Sequence, residues 1–416
     1  MDNISKLQEQ ESFADEYGDR IAEWELFAVA LICKELGRIG KMTPEQAKKY
    51  DAEKETKKIE KIILSALTTA VLLNIKDLPK TYTSLFDEWH KGNEYMYKYR
   101  GVSFVDVADN KALQKIINSQ TRIRAKEIKE LFGMNEFWKI EKSKAIKVLD
   151  RNGKPIMLRD GILKSFQEAT ALVRTGKQDF YTTMRKTVLD LGGSGARVDY
   201  GTVIIDDKPR RITRRLDTVV RQNILYNAKM SSREYNKQIG KELGCDGIEV
   251  SFSVNPRPSH RFMEGRQFCN GKSKEINGIH FDGAEDTRDA ESGQNVIESL
   301  DDYNCNHRET PIICGVSEPA YSPEELARLK AENERQFTIG NSTGDGYYWS
   351  QRLRNLETAT RKAKGEINGL EALGDAESKA KAKELRKQIK AYRTKYNEIC
   401  DTTGIKPDYR RMGVVK

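Results

Sequence analysis

The chain has 416 residues, with 72 Lys and Arg against 63 Asp and Glu, a net charge of +9, 38% hydrophobic residues and six cysteines. That length suits two or three domains, and the composition excludes collagen-like and disulfide-scaffold classes. The most apolar stretch, Ile62 to Ile75, is interrupted by Ser65, Thr68, Thr69 and Asn74 and falls short of the roughly 20 apolar residues that span a bilayer, so no membrane anchor is expected.

The polar, acidic start from Met1 to Arg20 lacks the basic-then-apolar order of a secretory signal. The expectation is a chain that stays in the cytoplasm where it is made, with free thiols. The charge is concentrated, and only clustered charge selects a partner. Lys208 to Lys241 carries ten basic residues against Asp217 and Glu234, and Gln351 to Lys416 carries 17 basic against 9 acidic residues, a surplus of +8 in each. Two basic elements on a mildly acidic body suit a polyanion or an acidic protein face.

Residues 1–140, rich in Glu, Lys, Ala, Leu and Ile, read as helices broken at Gly40, at Asp77-Leu78-Pro79 and at Gly101. Trp24, Trp89 and Trp138 are expected to pack there, as is His90 beside Trp89. Asp150-Arg151-Asn152-Gly153-Lys154-Pro155 is a turn centred on Asn-Gly. Phe166, Ala169 and Val173, then Phe180, Met184, Val188 and Leu191, recur every three or four residues, which predicts two amphipathic helices. Gly192-Gly193-Ser194-Gly195 should stop the second of them. It lacks the Gly-x-x-x-x-Gly-Lys-Ser/Thr order of a phosphate loop and reads as a turn.

Arg197 to Ile205 is a strand candidate by its Val, Tyr, Thr and Ile content. Beyond it, at about 100° per residue, Arg210, Arg211, Arg214, Arg215 and Arg221 fall on one side of a helical wheel and Ile212, Leu216, Val219 and Val220 on the other. This predicts a docked helix with a cationic outer face, engaging a partner or simply solvated and ion-paired to the acidic body. From Cys245 to Asn341 short β-like runs, Ile248–Val254 and Pro311–Cys314, alternate with loops rich in Gly, Asn, Asp and Pro, as in a compact α+β module. Pro256-Arg257-Pro258 fixes an extended approach to Ser259-His260, and Pro319 and Pro323 bracket a turn before a short helix from Glu324. At the end, Leu353, Leu356, Thr360, Ala363, Ile367 and Leu370 are spaced 3-4-3-4-3, and Ala382, Leu385, Ile389, Tyr392, Tyr396 and Ile399 repeat the spacing after Gly374-Asp375. These predict an antiparallel helical hairpin followed by a flexible tail, Asp408 to Lys416.

Three of the four histidines and four of the six cysteines lie between Cys245 and Cys314. Cys305, His307 and Cys314, with His260 or Cys269, offer donors for tetrahedral zinc. The spacing is not a zinc signature, since Cys-x-x-Cys and His-Glu-x-x-His are both missing. The expected role is a thiol core with His260 and His307 bonded to backbone in turns, with no metal and no cofactor assigned. No Gly-x-Ser-x-Gly elbow is present, and Asp282, Asp286 and Asp301-Asp302 read as an acidic loop. No catalytic residue is assigned.

An ordered series of short motifs runs from Ala171-Leu-Val-Arg-Thr-Gly176 through Tyr181-Thr-Thr-Met-Arg185, Arg197-Val-Asp-Tyr-Gly201, Arg210-Arg211, Arg214 to Arg221 and Asp246 to Ser251. It continues in Arg257-Pro-Ser-His260, Glu264-Gly265-Arg-Gln-Phe268, Asn304-Cys305-Asn-His307, Pro311, Cys314-Gly315-Val-Ser317, Tyr348, Gln351-Arg352 and Leu356-Glu357. The series, over about residues 165 to 411, resembles the phage minor capsid protein 2 family, related to the Mu F-like head morphogenesis proteins. Ser253 stands where the family has a first His and Asn306 where it has Arg, and residues 1 to about 160 match poorly.

The resemblance implies a structural, non-enzymatic minor protein of a tailed bacteriophage or prophage head. Its implied partners are the portal protein, other head proteins and packaged DNA, and its implied location is the virion head interior, with host cytoplasm during assembly. On this reading Arg210, Arg211, Arg214, Arg215 and Arg221 contact DNA or portal, and Arg257, His260, Gly265, Cys305, His307 and Gly315 form a structural motif. A DNA-processing enzyme or effector with a His/Cys site, and a free-standing nucleic-acid-binding protein, are the competing readings. The expected fold is mostly helical α+β: an N-terminal helical region (1–150), a central helical region with the basic helix (151–244), a loop-rich α+β module (245–341) and a C-terminal basic hairpin with its tail (342–416).

Overall fold

The computed structural model describes residues 3–140, 146–150, 152–175, 180–205, 208–302 and 305–413. Gly176 and Asn304 of the motifs above, and 414–416 of the tail, lie outside the described residues. The fold is mostly helical α+β, with small antiparallel sheets.

The first half is a bundle. α1 (Asn3–Gly40) and α2 (Pro44–Lys48) are joined through a capping box in which Thr43 and Gln46 satisfy each other's backbone N–H. α3 (Ala52–Gly92) and α4 (Glu94–Arg100) follow, the latter closed by Gly101 in the left-handed region at φ 64°. α5 (Lys111–Leu131) is capped by Asn110. The expected break at Asp77-Leu78-Pro79 does not occur, and α3 runs through it. An interior proline costs about 3 kcal/mol, and burying one large apolar side chain returns about 1.5–3 kcal/mol. Leu78, Tyr82, Leu85 and Phe86 are all buried, so packing outweighs the proline. By length and composition α3 could also cross a membrane; here Ile63, Leu64, Leu67 and Val71 lie in the shared core. Trp24 and Trp89 are buried and Trp138 packs against the core. His90 is buried, with Nε2 2.8 Å from the Val105 carbonyl and Nδ1 3.3 Å from the Tyr235 hydroxyl.

A hairpin of β1 (Lys147–Leu149) and β2 (Pro155–Met157) turns at Asn152-Gly153, with Gly153 at φ 74°. α6 (Leu158–Arg174) and α7 (Phe180–Ser194) follow. Gly192 and Gly193 do not stop α7; both lie inside it, and the helix ends before Gly195 at φ 63°. Next come β3 (Arg197–Ile205) and β4 (Lys208–Arg215), which with the first hairpin make a sheet ordered β2-β1-β3-β4.

Here the largest correction falls. Arg210, Arg211, Arg214 and Arg215 are on β4, paired residue by residue with β3, and the helix, α8 (Leu216–Leu243), begins only after them. The ladder to a Val- and Ile-rich partner strand overrides a local pattern that also fits a helix, because strand preference is set by cross-strand context. Of the five arginines only Arg221 is helical.

The module from Cys245 onward holds β5 (Gly247–Val250), a 3₁₀ turn Pro258–Met263, β6 (Gln267–Cys269), and a hairpin of β7 (Lys274–Ile276) and β8 (Ile279–Phe281). α9 (Val296–Asp301), β9 (Glu309–Ile312) and α10 (Pro323–Glu334) complete it. Its sheet is ordered β6-β5-β9 and its cores are separate from that of the bundle. A small ribbon, β10 (Phe337–Ile339) and β11 (Ser342–Gly344), leads into the helical hairpin α11 (Gly346–Leu373) and α12 (Ala376–Thr403). The heptad residues Leu353, Thr360, Ala363, Leu370, Ala382, Leu385, Tyr396 and Ile399 are buried as expected. The tail is not loose where it is described. Tyr409–Met412 forms a 3₁₀ turn with Met412 buried, held by Arg361 donating to the Arg411 carbonyl at 2.6 Å and Lys364 donating to that of Gly413 at 3.1 Å.

One apolar core joins α1, α3, α5, α6, α7 and α8 with α11 and the start of α12. α7 and α11 meet backbone to backbone at Gly192 and Gly365, where a Cβ on either would run into the other's carbonyl oxygen. Gly192→Ala should therefore destabilise the fold by about 1–3 kcal/mol, the usual cost of overpacking. Thermal unfolding of the full chain reads this as a lowered midpoint; an unchanged midpoint would remove the close approach as a determinant of the fold.

Candidate functional site

The arginines expected to form one cationic face are sorted into two classes by the strand-to-helix switch. On β4, Lys208, Arg210, Arg211 and Arg214 are exposed. Arg211 is paired with Asp199, its Nη2 2.5 Å from Oδ2, and Arg214 donates to Gln222 at 3.0 Å while lying over the Tyr200 ring. Arg215 and Arg221 instead turn inward. Arg215 pairs with Glu25 on α1 and lies 3.4 Å from Asp217, and Arg221 pairs with Asp15 on α1.

These inward pairs extend into a network. Glu25 also accepts the Ala196 N–H, while Arg361 on α11 lies 3.7 Å from Asp217. Burial lifts the Glu25 carboxyl to about 7 in spite of Arg215, because removing a carboxylate from water disfavours its charged form. Burial acts on Asp217 too, yet Arg215 and Arg361 together hold it below the usual carboxylate range.

A second basic surface is on α12. Lys379, Lys383, Lys387 and Lys390 are exposed, and at about 100° per residue they lie within an arc of about 80° along about 16 Å of helix. Among the described residues the ion pairs of α12 involve other side chains: Arg185–Glu377, Lys381–Glu384, Arg386–Glu371 and Lys395–Glu398. Like charges four apart on a helix repel, and at Lys387 the attraction of Glu384 one turn before it works against that repulsion.

The module brings Arg257, His260, Cys305 and His307 together. His260 and His307 are not bonded to backbone in turns, as expected, but to carboxylates. His260 Nε2 is 3.4 Å from Asp302 Oδ2, which also accepts from Arg257 at 2.8 Å, and His307 Nε2 is 3.2 Å from Glu264 Oε1. Glu264 is fixed in turn by the Ser253 N–H at 3.1 Å and the Asn333 amide. His307 Nδ1 lies 3.5 Å from Cys305 Sγ. Burial disfavours charge here, but hydrogen bonds from His260 and His307, with Lys229 nearby, hold the Cys305 thiol well below its ordinary value, and the same contacts with Cys305 and Glu264 raise His307. Gly265 and Gly315, at φ 64° and 76°, shape turns outside this cluster. Cys269 and Cys314 pack apart from it with Ile312. All six cysteines are free.

Sequence reasoning missed Glu264, Asp302 and Lys229. Glu264 stands beside Gly265 in a quoted motif, whereas Lys229 is one of many charges on a helix and nothing local distinguishes it. Cys305, His307 and Lys229 line a cavity of about 300 Å³ between the module and the bundle, with Asp217, Arg221 and Arg361 on its other walls. α8 spans this junction. Arg233 lies 3.3 Å from Glu309 and also pairs with Asp301, holding the loop that carries Cys305 and His307.

Residues 160–401, more than half of the chain, match a family model described as phage minor capsid protein 2. No curated protein and no solved structure matches the chain. The matched span contains both arginine classes, the His/Cys cluster and nearly all of the terminal hairpin, but not Glu25.

Arg215 lies within the match, and its buried partner Glu25 lies outside it. Arg215→Met should cost about 3–5 kcal/mol at pH 8 by leaving Glu25 buried without its counter-charge. The loss should be smaller at pH 5, where Glu25, with its raised value, binds a proton. Denaturant unfolding at the two pH values measures this, with Arg214→Met as the exposed comparison, expected within about 0.5 kcal/mol of the parent.

Proposed function

The chain belongs to the phage minor capsid protein 2 family, a family of phage structural proteins, and from that premise we propose that it is a non-enzymatic minor component on the inside of a tailed-phage head, bound to the portal and to packaged DNA. The observation that carries the reading is the lysine stripe Lys379, Lys383, Lys387 and Lys390 on α12, exposed along one arc of the helix. A run of like charge with that spacing neutralises successive phosphates without reading bases. The exposed Lys208, Arg210 and Arg214 on the β3–β4 ribbon add a second contact of the same kind, and a two-stranded ribbon is narrow enough to enter a DNA groove.

The inward arginines have a different task in this reading. Arg215 at the end of β4 and Arg221 on α8 lock the ribbon and the helix to α1 and give the partner surface a rigid backing. The portal contact is the expectation that the family brings, and it rests on charge complementarity with an acidic portal face.

Binding to duplex DNA of random sequence, followed by fluorescence anisotropy from about 50 to 200 mM salt, tests the stripe. Charge reversal at Lys379, Lys383, Lys387 and Lys390 together should weaken binding at least tenfold and lower the salt slope by about 3 to 4, near 0.9 per phosphate contact, with helix content unchanged. Equal affinity would remove the stripe from the DNA contact. Co-purification with the portal protein under nuclease treatment tests the other partner. A nuclease-resistant complex supports portal binding, and a complex lost with the DNA denies it.

A further inference from the structure

We propose that His260, Cys305 and His307 form a binding site for one divalent transition-metal ion of the zinc type, with three protein ligands and a fourth position facing the cavity beside Lys229. The site is independent of the DNA and portal reading, and sequence spacing alone gave no reason to assign it.

Three observations carry it. First, the donor atoms of the three side chains all lie within 4.8 Å of one another, and the His307 Nδ1 to Cys305 Sγ distance of 3.5 Å is that of two ligands sharing one tetrahedral ion. The three side chains are 1%, 9% and 2% exposed in chain order, so the donors are shielded from bulk water.

Second, each imidazole is oriented from behind by a carboxylate that is itself fixed. Nε2–H of His307 donates to Glu264, which accepts also from the Ser253 N–H, and Nε2–H of His260 donates to Asp302, which accepts also from Arg257. A ring that gives its Nε2 proton to a carboxylate keeps Nδ1 for a metal, the arrangement that sets tautomer and basicity at histidine metal sites. Cys305 Sγ interacts with both rings, so a cation bound among the three takes the place of those hydrogen bonds and satisfies both ring nitrogens and the sulfur at once.

Third, the ion's charge is met. A divalent ion with one thiolate and two neutral rings leaves a single positive charge, and the carboxylates of Glu264 and Asp302 lie against the two rings. Two imidazoles and one thiolate select a borderline-soft ion such as Zn²⁺ over Mg²⁺ or Ca²⁺, which take oxygen ligands. Cys305 and His307 both line the cavity of about 300 Å³, so a water or an anionic group can take the fourth position.

Metal binding here consists of donation from Cys305 Sγ and the two ring nitrogens, with the thiol proton released to solvent. Full-length chain purified without chelator and dialysed should retain about one Zn²⁺ per chain. After chelation, Co²⁺ should restore binding with the intense visible bands of a tetrahedral site and a thiolate-to-cobalt charge-transfer band. Cys305→Ser should abolish the charge-transfer band, and Glu264→Gln should weaken Zn²⁺ about 10–100-fold through the outer contact alone. The wild-type cobalt spectrum needs no variant to fold: bands of an octahedral ion without charge transfer, or no uptake of either metal, would overturn the site. A charge-transfer band that survives in Cys305→Ser would place the metal on another thiol and overturn it equally.

Discussion

Removing two carboxylates from water is costly unless cations come with them, and this constraint organises the whole molecule. Glu25 and Asp217 are buried at the meeting point of α1, β4, α8 and α11, and Arg215 and Arg361 neutralise them there. Any separation of these elements leaves a charge in the interior without its partner, a loss of several kcal/mol. The helices contribute apolar area everywhere along their length, but area is indifferent to register. The network is not, and it brings the N-terminal helix, the basic ribbon and the terminal hairpin into one arrangement.

The same physics divides the basic residues by task. An arginine that meets an anchored carboxylate inside the protein, such as Arg215 or Arg221, is spent on the fold and has no charge left for a partner. Those on the ribbon and the lysines on α12 meet water, and they can act at a distance through the field of a partner polyanion. The +9 net charge therefore understates how unevenly the exposed charge is displayed.

α8 joins these two worlds. Its first turns carry the ion pairs to α1, and Arg233 and Asn236 farther along bind Glu309 and its carbonyl, so the loop with Cys305 and His307 is held against the bundle. The His/Cys cluster sits in the module, yet its open side is closed by side chains of the bundle. It occupies a junction between two separately cored parts, the place in a fold where ligands most often bind.

The amino-acid pattern alone settles what depends on near neighbours in the chain. The helical hairpin at 346–403, the strand at 197–205, the Asn-Gly turn and the packed tryptophans are legible because burial periodicity and turn chemistry are local. The mostly helical α+β class and the family resemblance follow from the same local record. The misreadings differ in range. α3 passes through Pro79 because of the residues it packs against, which lie far off in the chain, whereas Arg210 to Arg215 form a strand because β3, two residues upstream, offers a ladder that a single-strand pattern does not weigh. The site depends on distant partners too: Cys305 and His307 are adjacent enough to notice, but His260, Glu264 and Asp302 acquire meaning only when folding places them around the same few ångströms. Charge and periodicity are written along the chain, whereas which charge is buried, and which donors converge, is a property of distances that only the tertiary structure sets.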